Sequence, residues 1–530
     1  MTPDRSDPRP FRPIASLIAD HAASDGARPA LVDGEAALTY AQLDRLMDRV
    51  AAALQRDGVA AGEVIALCAA PSVRYAAIFL GALRAGVVVA PLAPSSTAAG
   101  FRSMLDDAQA RLLFVDDSAD DALGERPLAA PCIALDSGAQ PAAKTSAIPA
   151  RAAATAFEDW LAPEAARPDP VEIDPAMAFN IIYSSGTTGV PKGIVQSHGM
   201  RWTHVERAAR YGYGPERVTL LATPLYSNTT LVAFFPSIAY GGTVVLMARF
   251  DAGRYLSLAE RERASHTMLV PVQYQRLMAR PDFADHDLSS FHMKFCTSAP
   301  FAAALKADVL ARWPGGLVEF YGMTEGGGTC ILEAHLHPHK LHTVGPPSEG
   351  HDIRLIDEDG RELPRDVAGE VVGHSSGMMT GYHRHPEKTA EAEWFDPTGK
   401  RFIRTGDVGR FDDDGFLVLL DRRKDMIISG GYNIYPSDLE AVLREHPGVA
   451  DAAVVGVPSA DWGETPAAWV VLRPDATIDG EALRRWANGR VGKTQRLSTL
   501  ETLDELPRSA IGKVLKRELR ERWLAAARDR

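Results

Sequence analysis

Residues 183–193 read Tyr-Ser-Ser-Gly-Thr-Thr-Gly-Val-Pro-Lys-Gly, and their order says more about the fold than any other stretch of the chain. Four aliphatic hydroxyls (Ser184, Ser185, Thr187, Thr188), three glycines and Lys192 fall within these eleven residues. Gly186 and Gly189 let the backbone turn its N–H groups toward an anion, the hydroxyls add donors, and Lys192 adds positive charge. Such a loop suits a polyphosphate. The alternating apolar run Ala178–Tyr183 predicts a strand feeding it. A P-loop is excluded by spacing, because the position five residues after Gly186 is Pro191 rather than glycine.

Outward from this loop, the texture is that of a layered α/β protein. A helical pattern over Tyr40–Gln55 precedes a strand over Val64–Ala69. Downstream, Val218–Ala222, Thr243–Met247, His266–Val270 and Met293–Thr297 are short apolar runs separated by helix-like stretches, which predicts a parallel sheet layered with helices. Ser137–Asp174 is rich in Ala and Pro and reads as a surface excursion or linker. After Asp352 the strands shorten. Asp412-Asp413-Asp414-Gly415 reads as a hairpin turn, since the further ligands of a calcium loop are missing. The last hundred residues predict a compact α+β pattern: helix Pro436–Glu445, strands Val449–Val457 and Ala467–Leu472, helix Gly480–Gly489. A domain boundary is expected near Lys424, giving 1–423 and 424–530.

At 530 residues the chain can bury more than one core, and its 46% hydrophobic and 24% charged residues are those of a globular protein. The net charge of −12 argues against nucleic acid or an anionic membrane as partner. No apolar run approaches a membrane span, the N-terminus lacks the apolar core of a signal peptide, and the C-terminus is not a peroxisomal address. The four cysteines (Cys68, Cys132, Cys296, Cys330) are far apart and give no zinc spacing or disulfide framework. A cytoplasmic monomer or homodimer is the simplest expectation. His335, His337, His339 and His342 form a tempting metal cluster, but Pro338 interrupts any helix and Glu333 is the single carboxylate nearby, so a polar loop rim is expected. Gly492-Lys493-Thr494 is a false P-loop ending, with Ala487 where glycine is needed.

Four further blocks carry chemistry. Tyr321-Gly322-Met323-Thr324-Glu325 follows the strand-like Leu317–Phe320: an aromatic can stack on a purine, threonine can donate to a phosphate, and glutamate can hold Mg²⁺ bridging phosphate oxygens. Thr405-Gly406-Asp407 comes next, then Asp421-Arg422-Arg423-Lys424-Asp425-Met426-Ile427-Ile428-Ser429-Gly430-Gly431-Tyr432-Asn433-Ile434-Tyr435-Pro436, a charged turn, a strand and a glycine bend into a helix. The last is Leu506-Pro507-Arg508-Ser509-Ala510-Ile511-Gly512-Lys513-Val514.

In kind, order and spacing these five blocks resemble the ANL adenylate-forming superfamily of acyl-CoA synthetases, luciferases and peptide-synthetase adenylation domains. The nearest resemblance is to 4-coumarate, aryl and medium-chain acyl-CoA ligases. Leu38-Thr39-Tyr40-Ala41-Gln42-Leu43 also looks like the family's start, so the resemblance covers nearly the whole chain. It implies a large N-terminal domain of layered sheets and helices with a small mobile α+β lid. It implies an ATP- and Mg²⁺-dependent carboxylate–CoA ligase that forms acyl-AMP, releases pyrophosphate and transfers the acyl group to coenzyme A. Lys513, Thr324, Glu325 and Lys192 would be catalytic, with Glu325 on Mg²⁺. Ser184, Ser185, Gly186, Thr187, Thr188, Gly189, Tyr321, Asp407 and Arg422 would bind the nucleotide. Lys424 would be the hinge, with Gly430 and Gly431 beside the pantetheine channel.

The resemblance places the acyl pocket at Ser227, Asn228, Thr229, Thr297, Ser298, Ala299 and Phe320. Ser227 departs from the His common among acyl- and aryl-CoA synthetases, and it cannot replace the Asp that amino-acid-activating relatives use for an ammonium group. Phe320, where several relatives have a small residue, would shorten the pocket toward an aryl or short-to-medium acyl group. These segments contain no Arg or Lys, so a neutral acid without a second carboxylate is expected. No carrier-protein segment follows Lys513, which favours free coenzyme A. The alternatives are a stand-alone adenylation enzyme that loads a separate carrier protein, and a non-catalytic nucleotide-binding homologue.

Overall fold

The computed structural model describes residues 10–34, 36–124, 128, 130–136, 153–184, 192–429, 432–459, 462–509 and 512–528. The chain divides into two compact units: Met1–Leu341 with Ser348–Asp352 and His374–Ile403, and His342–Pro347 with Ile353–Gly373 and Arg404–Arg530.

In the first unit the four expected strands form at Val218–Leu221, Thr243–Leu246, His266–Leu269 and Met293–Cys296, and they pair in parallel. They belong to an eight-stranded sheet that continues through Gly316–Met323 to Gly326–Glu333 on one side and through Pro29–Asp33 to Ala36–Thr39 on the other. Apolar β-branched runs suit such strands because helices cover both faces and little polar backbone is left exposed. The chain leaves Val218–Leu221 for Thr243–Leu246 on one side, then crosses to His266–Leu269 on the other. That reversal makes a topological switch point, where a crevice opens at the carboxyl ends of the strands. Ser227, Thr297 and Ser298 all follow strands that end there.

A second eight-stranded sheet carries the hairpin of Ala178–Ser184 and Lys192–Ser197. Val88–Pro91, Val64–Cys68, Leu113–Val115, Cys132–Ala134 and Thr155–Ala156 extend it in parallel order. The helix Tyr40–Arg56 packs into the same core. It begins at a capping box, with Gln42 N–H on the Thr39 hydroxyl and Thr39 N–H on the Gln42 carbonyl, and it buries Leu43, Met47, Val50 and Leu54 on one face.

The stretch expected to be a surface excursion differs. Of Ser137–Asp174, residues 137–152 lie outside the described residues. The rest supplies an edge strand, Thr155–Ala156, and a short helix, Phe157–Trp160, with Phe157, Trp160, Leu161 and Ala162 buried. The Trp160 indole packs edge-on against Phe114 and donates to Asp57 Oδ2 at 2.6 Å. A segment this short has no readable period, so only the long-range contact reveals it.

From Arg404 onward the second unit takes in most of the hairpin Arg401–Phe411 and Leu417–Arg422, turned at Asp412–Gly415 as expected, with the Asp412 carboxylate accepting from Asp414 and Phe416 N–H groups. The helix Pro436–Glu445 forms with the expected bounds. Val449–Ser459 and Gly463–Leu472 pair antiparallel, Thr499–Leu503 joins in parallel, and Gly480–Asn488 is helical. Ile427, Leu439, Leu443, Val454, Val470 and Leu483 give this part its own core. All four cysteines are reduced and all are buried.

Candidate active site

The hairpin expected to hold phosphate pairs its two strands up to the described ends. Ser184 and Lys192 face each other across its mouth. Ser185, Gly186, Thr187, Thr188 and Gly189 lie outside the described residues, as does the side chain of Ser184. The Tyr183 phenol, at the end of the incoming strand, donates to Asp107 Oδ2 at 2.7 Å.

Lys192 and Glu325, 133 residues apart in sequence, meet around one tyrosine. Tyr382 sits in a two-residue strand, Gly381–Tyr382, paired antiparallel with Lys192–Ser197. The Lys192 ammonium lies 5.0 Å from the centre of its ring, a cation–π contact. Its hydroxyl donates to Glu325 Oε1 at 2.9 Å. Burial, and then the Glu325 charge, push the phenol above its ordinary range, so it stays protonated and remains the donor. Glu325 occupies the turn between Gly316–Met323 and Gly326–Glu333, where Gly326 takes a left-handed φ of +81°. A Cβ there would lie 2.1 Å from the Gly377 carbonyl oxygen, so only glycine permits this approach. The Met379 N–H also donates to the Glu325 carbonyl at 2.8 Å.

A buried polar network ties this turn to the hairpin and to the pocket. Gln196 donates to the Thr324 carbonyl at 2.7 Å, and Asn180 donates to Gln196 at 3.1 Å. Arg201, fully buried on the helix His198–Ala208, donates to Asn180 at 3.1 Å, to Asn228 at 2.8 Å and to Gln196. Burial pushes its guanidinium down to about 9, which still leaves it charged at neutral pH. Three neutral amides thus solvate one buried cation. Asn228, expected in the pocket wall, turns its side-chain oxygen to this network. Tyr321 is buried in the strand, opposite Cys330.

Other expected pocket residues do converge. Ser227 caps the helix Asn228–Ala239 by accepting from Thr229 N–H at 3.3 Å. The Thr229 and Ser298 hydroxyls lie 2.5 Å apart, and Thr297 donates to the Phe320 carbonyl at 2.8 Å. Ser298 has φ +82°, a strained conformation for a residue with a side chain. Phe320 stacks on Phe295 with centroids 5.6 Å apart. It lines a small cleft with His204, Arg207, Tyr211 and Tyr213. The pocket segments themselves hold no Arg or Lys, but Arg207, from a helix more than a hundred residues upstream of Phe320, lies 5.1 Å from the centre of that ring. Arg207 and Tyr382 are the residues that sequence reasoning missed. The spacing of His204 and Arg207 by one helical turn was the one signal for the first, and a two-residue strand gave none for the second.

In the second unit, Asp407 and Arg422 face each other on paired strands, with Arg422 Nε 3.2 Å from Asp407 Oδ1. Lys424 follows in an exposed turn; Gly430 and Gly431 lie outside the described residues. Lys513 stands on a turn closed by Ser509 N–H to the Lys513 carbonyl and Gly512 N–H to the Ser509 carbonyl, both 2.8 Å. Burial first, then the repulsion of Arg422 and Lys424, push its ammonium down to about 8 against the pull of Asp407 and Asp425. Among the histidines, His335 bonds the Leu317 carbonyl at 3.1 Å, and no group of three candidate metal ligands occurs among the described residues.

A family model for AMP-binding enzymes matches residues 18–383. The chain belongs to this family. The model for the AMP-binding enzyme C-terminal domain matches residues 438–513. A feruloyl-CoA synthase from Amycolatopsis sp is 35% identical over 499 residues, covering 92% of this chain and 95% of that one. The fatty acid–[acyl-carrier-protein] ligase ScoC of Streptomyces coeruleorubidus is 30% identical, covering 99% of both. Among solved structures, the amide bond synthetase McbA of Marinactinospora thermotolerans superposes with a TM-score of 0.82 at 29% identity, covering 96% of this chain and 99% of that one. This AMP-binding enzyme therefore has the α/β fold that its motifs predict, a large N-terminal domain with a separate C-terminal one.

Proposed function

We propose that this AMP-binding enzyme is an ATP-dependent acid–thiol ligase that activates an aryl or short-to-medium carboxylic acid and hands it to coenzyme A. The meeting of Lys192 and Glu325 around Tyr382 carries the reading, because it sets a cation and a carboxylate beside the mouth of the phosphate hairpin. In the first half reaction a carboxylate oxygen of the acid attacks the α-phosphorus of ATP. The bond to the bridging oxygen breaks, and pyrophosphate leaves with the electron pair. Lys192 and the donors of the hairpin offset charge on the leaving group. Glu325 suits Mg²⁺: Tyr382 engages Oε1, and among the described residues no hydrogen bond engages Oε2. When bound, the ion would neutralise phosphate charge.

Lys513 bridges the acid's carboxylate and the α-phosphate, two anions that otherwise repel. Tyr321 stacks on the adenine, and Asp407 and Arg422 hold the ribose. In the second half reaction the thiolate of coenzyme A attacks the acyl carbonyl and AMP departs. Lys424 is the hinge between domains 1–423 and 424–530, and rotation about it exchanges Lys513 for the Gly430–Gly431 face. No helix among the described residues is long and apolar enough to cross a membrane; the enzyme works in the cytoplasm as a monomer or homodimer.

The acceptor admits a second reading, favoured by the carrier-protein ligase and the amide bond synthetase among its relatives. Pyrophosphate release over a panel of acids, with and without coenzyme A, separates the two. Steady turnover with an acid and coenzyme A, and an acyl-CoA product, is expected. Turnover only with a phosphopantetheinylated carrier protein or an amine would select the second reading. No pyrophosphate with any acid, despite ATP binding, would leave a nucleotide-binding homologue.

A further inference from the structure

Three arginines lie on one short segment and meet different fates. Arg201 is solvated by three amides, and Arg210 pairs with Glu333 at 3.3 Å. Arg207 has no carboxylate partner among the described residues: the titratable groups near its charge are Tyr211, Arg210, Tyr213, His204 and His351, and its ring contact is the face of Phe320. One turn before it on the same helix face, His204 keeps a buried Nδ1 with no hydrogen-bond partner among the described residues. Both side chains line the cleft whose other walls include Phe320, Phe295 and the two tyrosines. Tyr213 and Phe295 stack with their planes 12° apart, and Phe295 and Phe320 with theirs 22° apart.

A guanidinium held against rings, with no carboxylate partner among the described residues, is an expensive arrangement for packing alone, because a ring face compensates a desolvated charge only in part. It becomes favourable when an oxygen comes to it. Guanidinium only donates, so the incoming group must accept, and the cleft, with room for about 10 Å³, admits little more than a single oxygen-sized group. The single molecule that the proposed reaction brings to this pocket is the acid.

We propose that Arg207, with His204, holds an accepting oxygen at the far end of the substrate, so that the acid class is one with a second oxygen function opposite the reacting carboxylate. This rests on the ligase reading above. The oxygen can belong to a phenol or to a second carboxylate. Both present the same acceptor chemistry, and the latter reverses the expectation drawn from the pocket segments alone.

Matched acids decide the point: phenylpropenoates with hydrogen, hydroxyl or carboxylate at the para position, and butanoate against succinate, each followed by pyrophosphate release. An oxygen-bearing acid should exceed its plain partner by at least about tenfold in kcat/KM, and which arm does so names the source of the oxygen. Arg207→Met should cut that ratio about tenfold or more, with Arg207→Lys restoring part of it. A change in the ratio is what a packing role would not produce. If Arg207→Met fails to fold, Arg207→Gln and His204→Phe give the same readout. Equal rates for plain and oxygen-bearing acids in the natural protein, or variants that lower both members of a pair alike, overturn the proposal. Failure to release pyrophosphate with any acid would instead strike the ligase reading itself.

Discussion

Arg201 is fully buried and spends its charge on Asn180, Gln196 and Asn228, side chains that are themselves anchored in strands and a helix start. Lys513 stands on a turn among Arg422, Lys424, Asp407 and Asp425, with burial and like charge both weakening its hold on a proton. The first cation is fixed and answers to structure. The second is presented and answers to whatever anion approaches. On the proposed function, a preorganised first cation and an adaptable second one would suit an enzyme that holds one nucleotide while exchanging the groups that face it.

Lys513→Ala should break the comparison most severely. Adenylate formation should fall about a thousandfold, on the order of 4 kcal/mol of transition-state stabilisation. Thioester formation from supplied acyl-AMP should be largely spared. Separate assays of the two half reactions check this, and equal losses in both would refute the assignment. Arg201→Met comes next. It takes one donor from each of three amide oxygens; Gln196 still accepts from Asn180 at 3.1 Å and Asn228 from Gln196 at 3.5 Å, so the Asn180 oxygen bears most of the cost, about 1–3 kcal/mol before relaxation. We expect about 3 kcal/mol less stability in chemical denaturation, and both half reactions falling together rather than separately.

Lys424→Pro should have a smaller and opposite signature to Lys513→Ala. Proline fixes φ and removes the N–H, so thioesterification should drop about tenfold while adenylation persists. Unchanged rates in both would put the hinge elsewhere. The mildest test is pH. Lys513 is charged below about 8 and loses its proton as pH rises through that value, so adenylation should hold at lower pH and decline above it. The high-pH limb should disappear in Lys513→Arg to the extent that arginine supports any turnover; a limb at the same pH would assign the titration to another group.

The legible parts of the fold share a cause. Val218–Leu221, Thr243–Leu246, His266–Leu269 and Met293–Cys296 lie buried in a parallel sheet, so each shows as a continuous apolar run ended by turn residues. Pro436–Glu445 announces its start with a proline at the first turn. Tyr382, Arg207 and the Phe157–Trp160 helix were illegible because their meaning lies in partners far away in sequence: Glu325, Phe320 and Asp57. The motif residues were readable as a set, whereas the tyrosine that joins two of them belongs to no long element.

The sequestered cysteines have a practical consequence. Cys68, Cys132, Cys296 and Cys330 are all hidden in the folded protein, and burial holds the Cys68 and Cys296 thiols well above their ordinary range. A chromogenic thiol reagent added to a native assay will therefore report the consumption of coenzyme A with little background from the enzyme. By the same logic, a cysteine engineered onto the surface of each unit becomes the readily labelled thiol there, so a dye pair can follow domain motion without first stripping the natural residues.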